Sequence, residues 1–441
     1  MKKVLSIVSL ALLCVYCAAV AIVVISPINH DSKGEWCVHG GDFSLRMAEI
    51  DCMLRGVNPY DVWHGDVVLK PYIPLGGEHD RAGEGEEGFS ELINAYVPWE
   101  YMMMMPFALL PRAVAWVLYF FSMLGALGIL FWRGGLFARR FASRDVGVCR
   151  EDFAIVGALP ILLVALPLYQ NLQVGNLTVY VLLASVFMAA CLGRGRNVMA
   201  GVCWAVAMLK PQLALPFAIP LLMMRKFTTC LVAAATCAAL TLVSSLVCNA
   251  SPVDLVVQGV SASKHAFRGC GTFPLFLCQY MPGDVGIYAG VLVGAAICAV
   301  LTRMLLRSGV RDWLVILMPA AVIGAAWTYA QCYSFTMNWF FFLALSAAVV
   351  RCPRSPFLWS VALVSALIMT RLSNFLHFAP KAFPGFLPDI VPSMLCHYHI
   401  DSIVSFAGVV VVVLFCAWLS RRAASAELNR LPAQCGREVA R

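Results

Sequence analysis

Charge is what this chain has least of. Only 13% of its 441 residues are charged, against 61% hydrophobic. Soluble proteins average about 25% charged and roughly 45–50% apolar, so a soluble globular chain is excluded and an integral membrane protein is expected. There is no Walker loop, no dinucleotide fingerprint and no Ser nucleophile motif, which removes nucleotide-driven and serine-hydrolase chemistry. Metal spacing is missing too. The His397-Tyr-His399-Ile-Asp401 cluster has no cysteine or third histidine to complete it, and alternate histidines project together only on a strand. An interfacial loop is the simpler reading, so neither a metal nor another cofactor is expected.

Cysteine is plentiful, with 18 residues, but many lie in apolar runs, among them Cys14, Cys17, Cys191, Cys203, Cys230, Cys237, Cys298 and Cys416. These act as small apolar side chains. Outside such runs, Cys37 with Cys52 and Cys270 with Cys278 are the candidate pairs if their loops face an oxidising compartment. The net charge of +8 records membrane orientation rather than nucleic acid.

The first apolar run, Val4 to Ile25, exceeds the usual signal-peptide core of about 7–15 residues and has no clear cleavage site, so it reads as a retained span. A short interfacial helix follows Tyr96-Val-Pro98-Trp99. Further spans are expected at Ala113–Trp132, Phe153–Leu168, Asn176–Leu192, Thr228–Cys248, Val285–Leu306, Trp313–Ala330, Phe335–Val350, Phe357–Phe375 and Ile403–Leu419. The expectation is one integral membrane domain over 1–441, an all-α polytopic bundle of about ten spans, with an outer loop at 29–98 and a cytoplasmic tail at 420–441.

Between the basic turn Gly193-Arg194-Gly195-Arg196 and the pair Arg225-Lys226 lies an apolar stretch broken by Lys210-Pro211. As one helix, 198–224 would be about 40 Å long, more than the roughly 30 Å of membrane hydrocarbon. Split at Pro211, it makes pieces of about 18 and 20 Å. Each is too short to cross, but together they suit a re-entrant hairpin with Lys210 at its tip. A charge at that depth survives only when buried in protein or facing a wet cavity. The other reading is a tilted, Pro-kinked span whose Lys210 snorkels. Orientation favours the hairpin. With the N-terminus inside, it puts Arg133 to Arg150, Arg194, Arg196, Arg225, Lys226, Arg303 to Arg311, Arg351, Arg354, Arg421 and Arg422 on the cytoplasmic face, whereas a single crossing would flip every later loop. Nearly all histidines and loop aromatics then lie outside, where chemistry is expected.

The outer loop opens with an amphipathic helix pattern, Phe43, Met47, Ile50 and Leu54 on one face, with Asp42 just before it and Gly56-Val-Asn-Pro59-Tyr60 turning the chain after it. Glu49, Asp51, Asp61 and Asp66 are carboxylates held in reserve as candidates for chemistry, with a solvated loop charge as the simpler reading of each. Gly76 to Gly88, rich in Gly and Glu, reads as a loop.

The ordered set Gln173-Val-Gly175-Asn176-Leu177, an apolar helix, Arg194-Gly195-Arg196, Ala200-Gly201, Lys210-Pro211 and Arg225-Lys226 resembles the central signature of glycosyltransferase family 87, polytopic enzymes of the GT-C class. Asp42-Phe43, Leu54-x-Gly56-x-x-Pro59-Tyr60 and Tyr96-x-Pro98 resemble that family's first-loop signature, with Trp99 in place of a second proline. The resemblance covers roughly the first half of the chain. It implies a GT-C-like bundle in the plasma (inner) membrane, N-terminus cytoplasmic. The activity it implies is transfer of a hexose, with mannose as the candidate, from a polyprenyl-phosphate donor to a lipid or polysaccharide acceptor on the outer face, by an inverting single displacement.

On that resemblance Asp42 is the base that takes the acceptor hydroxyl's proton; read without it, Asp42 is a helix N-cap. The leaving lipid phosphate calls for fixed cations, which can replace a metal. Lys210 and the Lys264-His265-x-x-Arg268 group are candidates, as is Arg371. The second group also reads as a headgroup-binding patch and Arg371 as a snorkelling residue. Tyr60, Tyr96, Gln173 and Asn176 are candidates for the donor and acceptor pocket. One departure stands out: where the family carries a late Ser-Pro-x-Ser-Trp-x-His segment, this chain has Gln331-Cys-Tyr-Ser334-Phe-Thr-Met-Asn338-Trp339, without histidine. His377 or the His397 and His399 pair would have to compensate. The alternative functions are a transporter or flippase of lipid-linked sugars, which also needs broken helices, and a scaffold subunit indifferent to Asp42.

Overall fold

The computed structural model of the protein describes residues 2–25, 29–30, 36–37, 41–60, 97–141, 150–267, 285–327, 332–352, 354–369, 407 and 409–421. Apart from a two-residue antiparallel pairing of Asn29–His30 with Trp36–Cys37, the regular elements are helical. In chain order they are α1 (Lys2–Ile25), α2 (Gly41–Leu54), α3 (Pro98–Ala108), α4 (Arg112–Phe141), α5 (Arg150–Leu163), α6 (Ala165–Val174), α7 (Thr178–Leu192), α8 (Asn197–Ala207), α9 (Pro211–Ala214), α10 (Ala218–Met223), α11 (Phe227–Cys248), α12 (Pro252–Phe267), α13 (Val285–Arg307), α14 (Trp313–Ile316), α15 (Met318–Trp327), α16 (Trp339–Arg351), α17 (Pro356–Met369) and α18 (Val409–Arg421).

Five helical segments are long and apolar enough to cross a membrane: Lys2–Val20, Val114–Ala138, Phe227–Cys248, Val285–Arg307 and Ser334–Arg351. The bent pair α5 and α6, at 64° to each other, is a sixth if counted as one span. Ten uninterrupted spans are thus not found among the described residues; three of the expected ones run beyond those residues, and proline breaks others. A proline ring clashes with the carbonyl four residues back. Pro167 accordingly stops α5 at Leu163, Pro211 stops α8 at Ala207, and Pro319, in the first turn of α15, follows the α14–α15 break at Leu317. Pro211, Pro216 and Pro220 together reduce the return limb to α9, a 3-10 turn at Leu215–Phe217, and α10.

The core lies around α5 and α16. Helix α16 is buried from Trp339 to Val349, and α5 is packed by α1, α4 and α16. A helix apolar on every side belongs at the centre of such a bundle. Around the rim, Leu231, Leu246, Leu292 and Leu363 are exposed, an apolar surface suited to lipid.

Helix α8 lies between α7 and α11. Gly201 permits the approach, since a Cβ there would meet Val232 Cβ at 2.6 Å and the Thr229 carbonyl at 2.8 Å. At its start, Thr229 Oγ1 donates to the Asn197 carbonyl (3.1 Å). The chain therefore leaves at Asn197 and is back beside it at Thr229. Lys226 stacks on the Trp313 ring at the same end (5.7 Å), while Lys2 pairs with Asp152 (2.9 Å) where α1 meets α5. At the far end of α8, Trp99 Nε1 donates to the Met208 carbonyl (2.8 Å), and Ser244, near the end of α11, donates to the Pro98 carbonyl (2.8 Å). Helix α3 is thereby fastened across the broken tip.

Two expectations change. Phe43, Met47 and Ile50 are buried as the α2 pattern required, but Leu54 is 44% exposed and Met53 takes the inner position. The buried face of α2 therefore ends at Met53, one residue earlier than the pattern suggested. Cys52 is a free, buried thiol, so the Cys37–Cys52 pairing does not form. The stretches 61–96 and 370–406, with Gln331, His377, His397, His399 and most of the tail, lie outside the described residues, as do Cys270 and Cys278.

Candidate active site

The site grows from the turn between α6 and α7. Gly175 closes α6 in the left-handed region (φ 72°), which costs a residue with a side chain strain that glycine escapes. Its space is also taken: a Cβ would stand 2.7 Å from Phe43 Cβ and 2.8 Å from Trp116 Cζ3. Tyr119 Oη donates to the Gly175 carbonyl (3.0 Å), and the Asn176 amide donates to the Asn171 carbonyl (2.9 Å). The turn is thus pinned to α4 and directly against α2.

Asn176, 1% exposed, has each side of its carboxamide assigned by its partners. Oδ1 accepts from the Thr178 backbone N–H (3.1 Å) and from Thr178 Oγ1 (2.8 Å). Nδ2 is then left to donate, and it donates to Asp42 Oδ2 at 2.6 Å. Asp42 lies within the first turn of α2 and is partly buried. Its carboxylate is aimed at another helix turn rather than spent on a cap, and that bond is of the short, charge-assisted kind.

Next to Asp42 is a buried ionic cluster. Arg46 pairs with Glu49 one turn along α2, and Arg46 Nε stands 3.8 Å from Glu100 Oε1 on α3. Lys210, at the α8–α9 break, is 2% exposed. Arg46, Lys210 and Asp42 all act electrostatically on the Glu100 carboxyl, which burial pushes up to about 8 against the pull of the two cations. Buried charges persist only when paired, and here helices distant in sequence supply the pairing.

Of the residues expected at a site, Asp42, Asn176 and Lys210 are brought together. Tyr60 is close by, edge-on to Tyr101 at 6.1 Å and within electrostatic reach of Glu100 and Arg46. Asn58, from the same turn as Tyr60, donates to Gln258 Oε1 on α12 (3.0 Å). Gln173 is half-buried on α6, three residues before Asn176. Lys264 and His265 lie on α12 with side chains outside the described residues, and Tyr96, Arg268 and Arg371 lie outside them altogether. Among the described residues no group of three or more His, Cys, Asp or Glu is placed to hold a metal. Sequence reasoning missed Arg46 and Glu100 and kept Glu49 only in reserve. The available signal was Arg46 three residues before Glu49 inside a helix whose neighbouring positions are apolar.

Described residues that are almost wholly helical, five helices long and apolar enough to cross a membrane, and a carboxylate held beside buried cations at the end of a broken helix define a polytopic membrane protein with a candidate catalytic centre. Residues 94–266, which include Glu100, Asn176 and Lys210, match the model of glycosyltransferase family 87. That family indicates a membrane glycosyltransferase, with a sugar donor and an acceptor as substrates. The match begins after α2 and does not include Asp42. No curated protein and no solved structure matches the chain.

Proposed function

We propose that the chain transfers a hexose, with mannose the candidate, from a polyprenyl-phosphate donor to a lipid or polysaccharide acceptor on the outer face of the plasma membrane, inverting the anomeric centre. The observation that carries this reading is the Asp42 carboxylate held by Asn176 at 2.6 Å beside the buried Lys210. Asp42 accepts the proton of the acceptor hydroxyl as its oxygen attacks the anomeric carbon. The bond from that carbon to the donor phosphate oxygen breaks, and the phosphate leaves with the electron pair. Lys210 supplies positive charge for it, with Lys264, His265, Arg268 and Arg371 as further phosphate contacts. Tyr60, Tyr96 and Gln173 line the donor and acceptor pocket.

The return of the chain from Asn197 to Thr229 supports a re-entrant hairpin with Lys210 at its inner end, both basic clusters remaining on the cytoplasmic side. Only irregular backbone that is buried in protein is tolerated at such depth, and α3 covers this break through Trp99. The cluster's position beside the first-loop helix favours an enzyme working on one face over a flippase, whose site belongs near the midplane between repeats. The test is transfer of labelled sugar from a panel of synthetic polyprenyl-phosphate monosaccharides by purified protein in lipid, with native extract as acceptor. Product from one donor is expected. Sugar-lipid crossing the bilayer without product would establish the flippase instead.

A further inference from the structure

Among the described residues Glu100 has charge partners but no hydrogen-bond partner. Its carboxyl is fully buried, and neither oxygen has a hydrogen-bond partner among the described residues. Arg46 Nε, at 3.8 Å, is beyond hydrogen-bond distance, and Arg46 is already engaged by Glu49. Buried polar groups are satisfied in the great majority of cases, and one left over calls for an explanation. A counter-ion for Arg46 would account for the charge but not for two idle oxygens.

The surroundings say what would occupy them. Trp99, the residue before Glu100, is fastened to the Met208 carbonyl just ahead of Lys210, and Asp42 and Lys210 both act on the Glu100 carboxyl electrostatically. Glu100 is therefore grouped with the base and the cation between which the transfer reading puts the sugar. From this we infer that Glu100 binds neighbouring hydroxyls of a sugar ring, in the donor or the acceptor, and so determines which sugar the site takes. The inference rests on the transfer reading above and names the group that recognises its substrate. A carboxyl offers two oxygens side by side, which suits a pair of adjacent ring hydroxyls. Selectivity follows from burial: an analogue lacking the hydroxyl leaves the carboxyl unpaired again, and such sites discriminate far better than apolar ones.

The experiment measures equilibrium binding of a polyprenyl-phosphate hexose and of an alkyl glycoside acceptor to full-length protein in lipid. Each ligand is supplied with its monodeoxy analogues, and wild type is compared with Glu100→Gln and Glu100→Ala. In wild type, removing one particular hydroxyl is expected to weaken binding about tenfold or more. In the variants the same deletion is expected to cost less than about twofold, because the partner is already gone. The series that shows the coupling, donor or acceptor, identifies whose hydroxyls are bound. Losses that multiply independently in both series overturn the inference even where transfer is intact. Absence of any sugar-lipid binding together with absence of transfer overturns the transfer reading as well. Should both variants fail to fold, a wild-type series in which no hydroxyl is worth more than about twofold overturns it alone.

Discussion

Replacing Asn176 by alanine removes three hydrogen bonds at once. The bond to Asp42 Oδ2 (2.6 Å) is charge-assisted, and such bonds contribute about 1.5–3 kcal/mol. The two that Oδ1 accepts from Thr178 (3.1 and 2.8 Å) are neutral bonds of about 1 kcal/mol each. Their loss strands a buried N–H at the start of α7. Because the three share one side chain they do not add fully, and a loss of about 2–4 kcal/mol is expected in reversible unfolding. Activity should fall further than stability explains. Asp42 without its tether loses the geometry of a base, and a displacement of about 1 Å costs on the order of a hundredfold in rate. The assay is single-turnover sugar transfer per folded protein, with Thr178→Val as control. That control removes Oγ1, spares the Asp42 bond, and should keep transfer within about threefold at a cost of about 1 kcal/mol. In an Asp42→Asn background the kinetic effect of Asn176→Ala should vanish. Wild-type transfer by folded Asn176→Ala protein would refute the positioning role.

Gly175→Ala combines a left-handed backbone with contacts of 2.7 Å to Phe43 and 2.8 Å to Trp116, so about 2–5 kcal/mol should be lost; an unchanged melting temperature would contradict the described packing of α2 on this turn. Arg46→Ala leaves Glu49 and Glu100 buried without their shared cation and should cost about 3–5 kcal/mol. Pairing Arg46→Met with Glu49→Leu should recover most of it in the same unfolding assay. Glu100 stands at about 8 in the folded protein against about 4.3 when unfolded, so the native state holds the extra proton and wild-type stability falls as pH rises between those values. Glu100→Gln should show a flatter profile across that window, and parallel profiles would contradict the burial of an ionisable group there.

Much of the site was legible because its residues sit in local patterns. Gly175 and Asn176 form a turn that must leave a helix, Lys210-Pro211 interrupts an apolar run, and Asp42 opens an amphipathic helix. Each is a departure from its surroundings that spacing alone exposes. Glu100 and Arg46 were not legible for the opposite reason. Each is a charge in a short helix that spacing alone reads as interfacial or loop-bound, with the charged head in water, and only the packing of α3 on α2 buries both together. Two of the expected spans are broken or shortened among the described residues for a reason that hydropathy does not carry. Hydropathy marks an apolar run such as 153–168 but ignores that Pro167 ends the helix at Leu163, and 176–192 is shortened by Gly175 to a helix about 23 Å long. Leu54 shows the limit from the other side: it fits the α2 periodicity, yet at the helix end it is Met53 that turns inward and Leu54 is exposed.

The most direct test of the central claim is the rate of labelled hexose transfer from the accepted polyprenyl-phosphate donor by wild type and by Asp42→Asn, both shown to be folded and to bind donor equally. Asparagine keeps the shape but cannot take a proton, so transfer should fall by about a hundredfold or more while donor affinity holds. Transfer by Asp42→Asn within a few fold of wild type would contradict the assignment of Asp42 as the base and leave it a structural partner of Asn176.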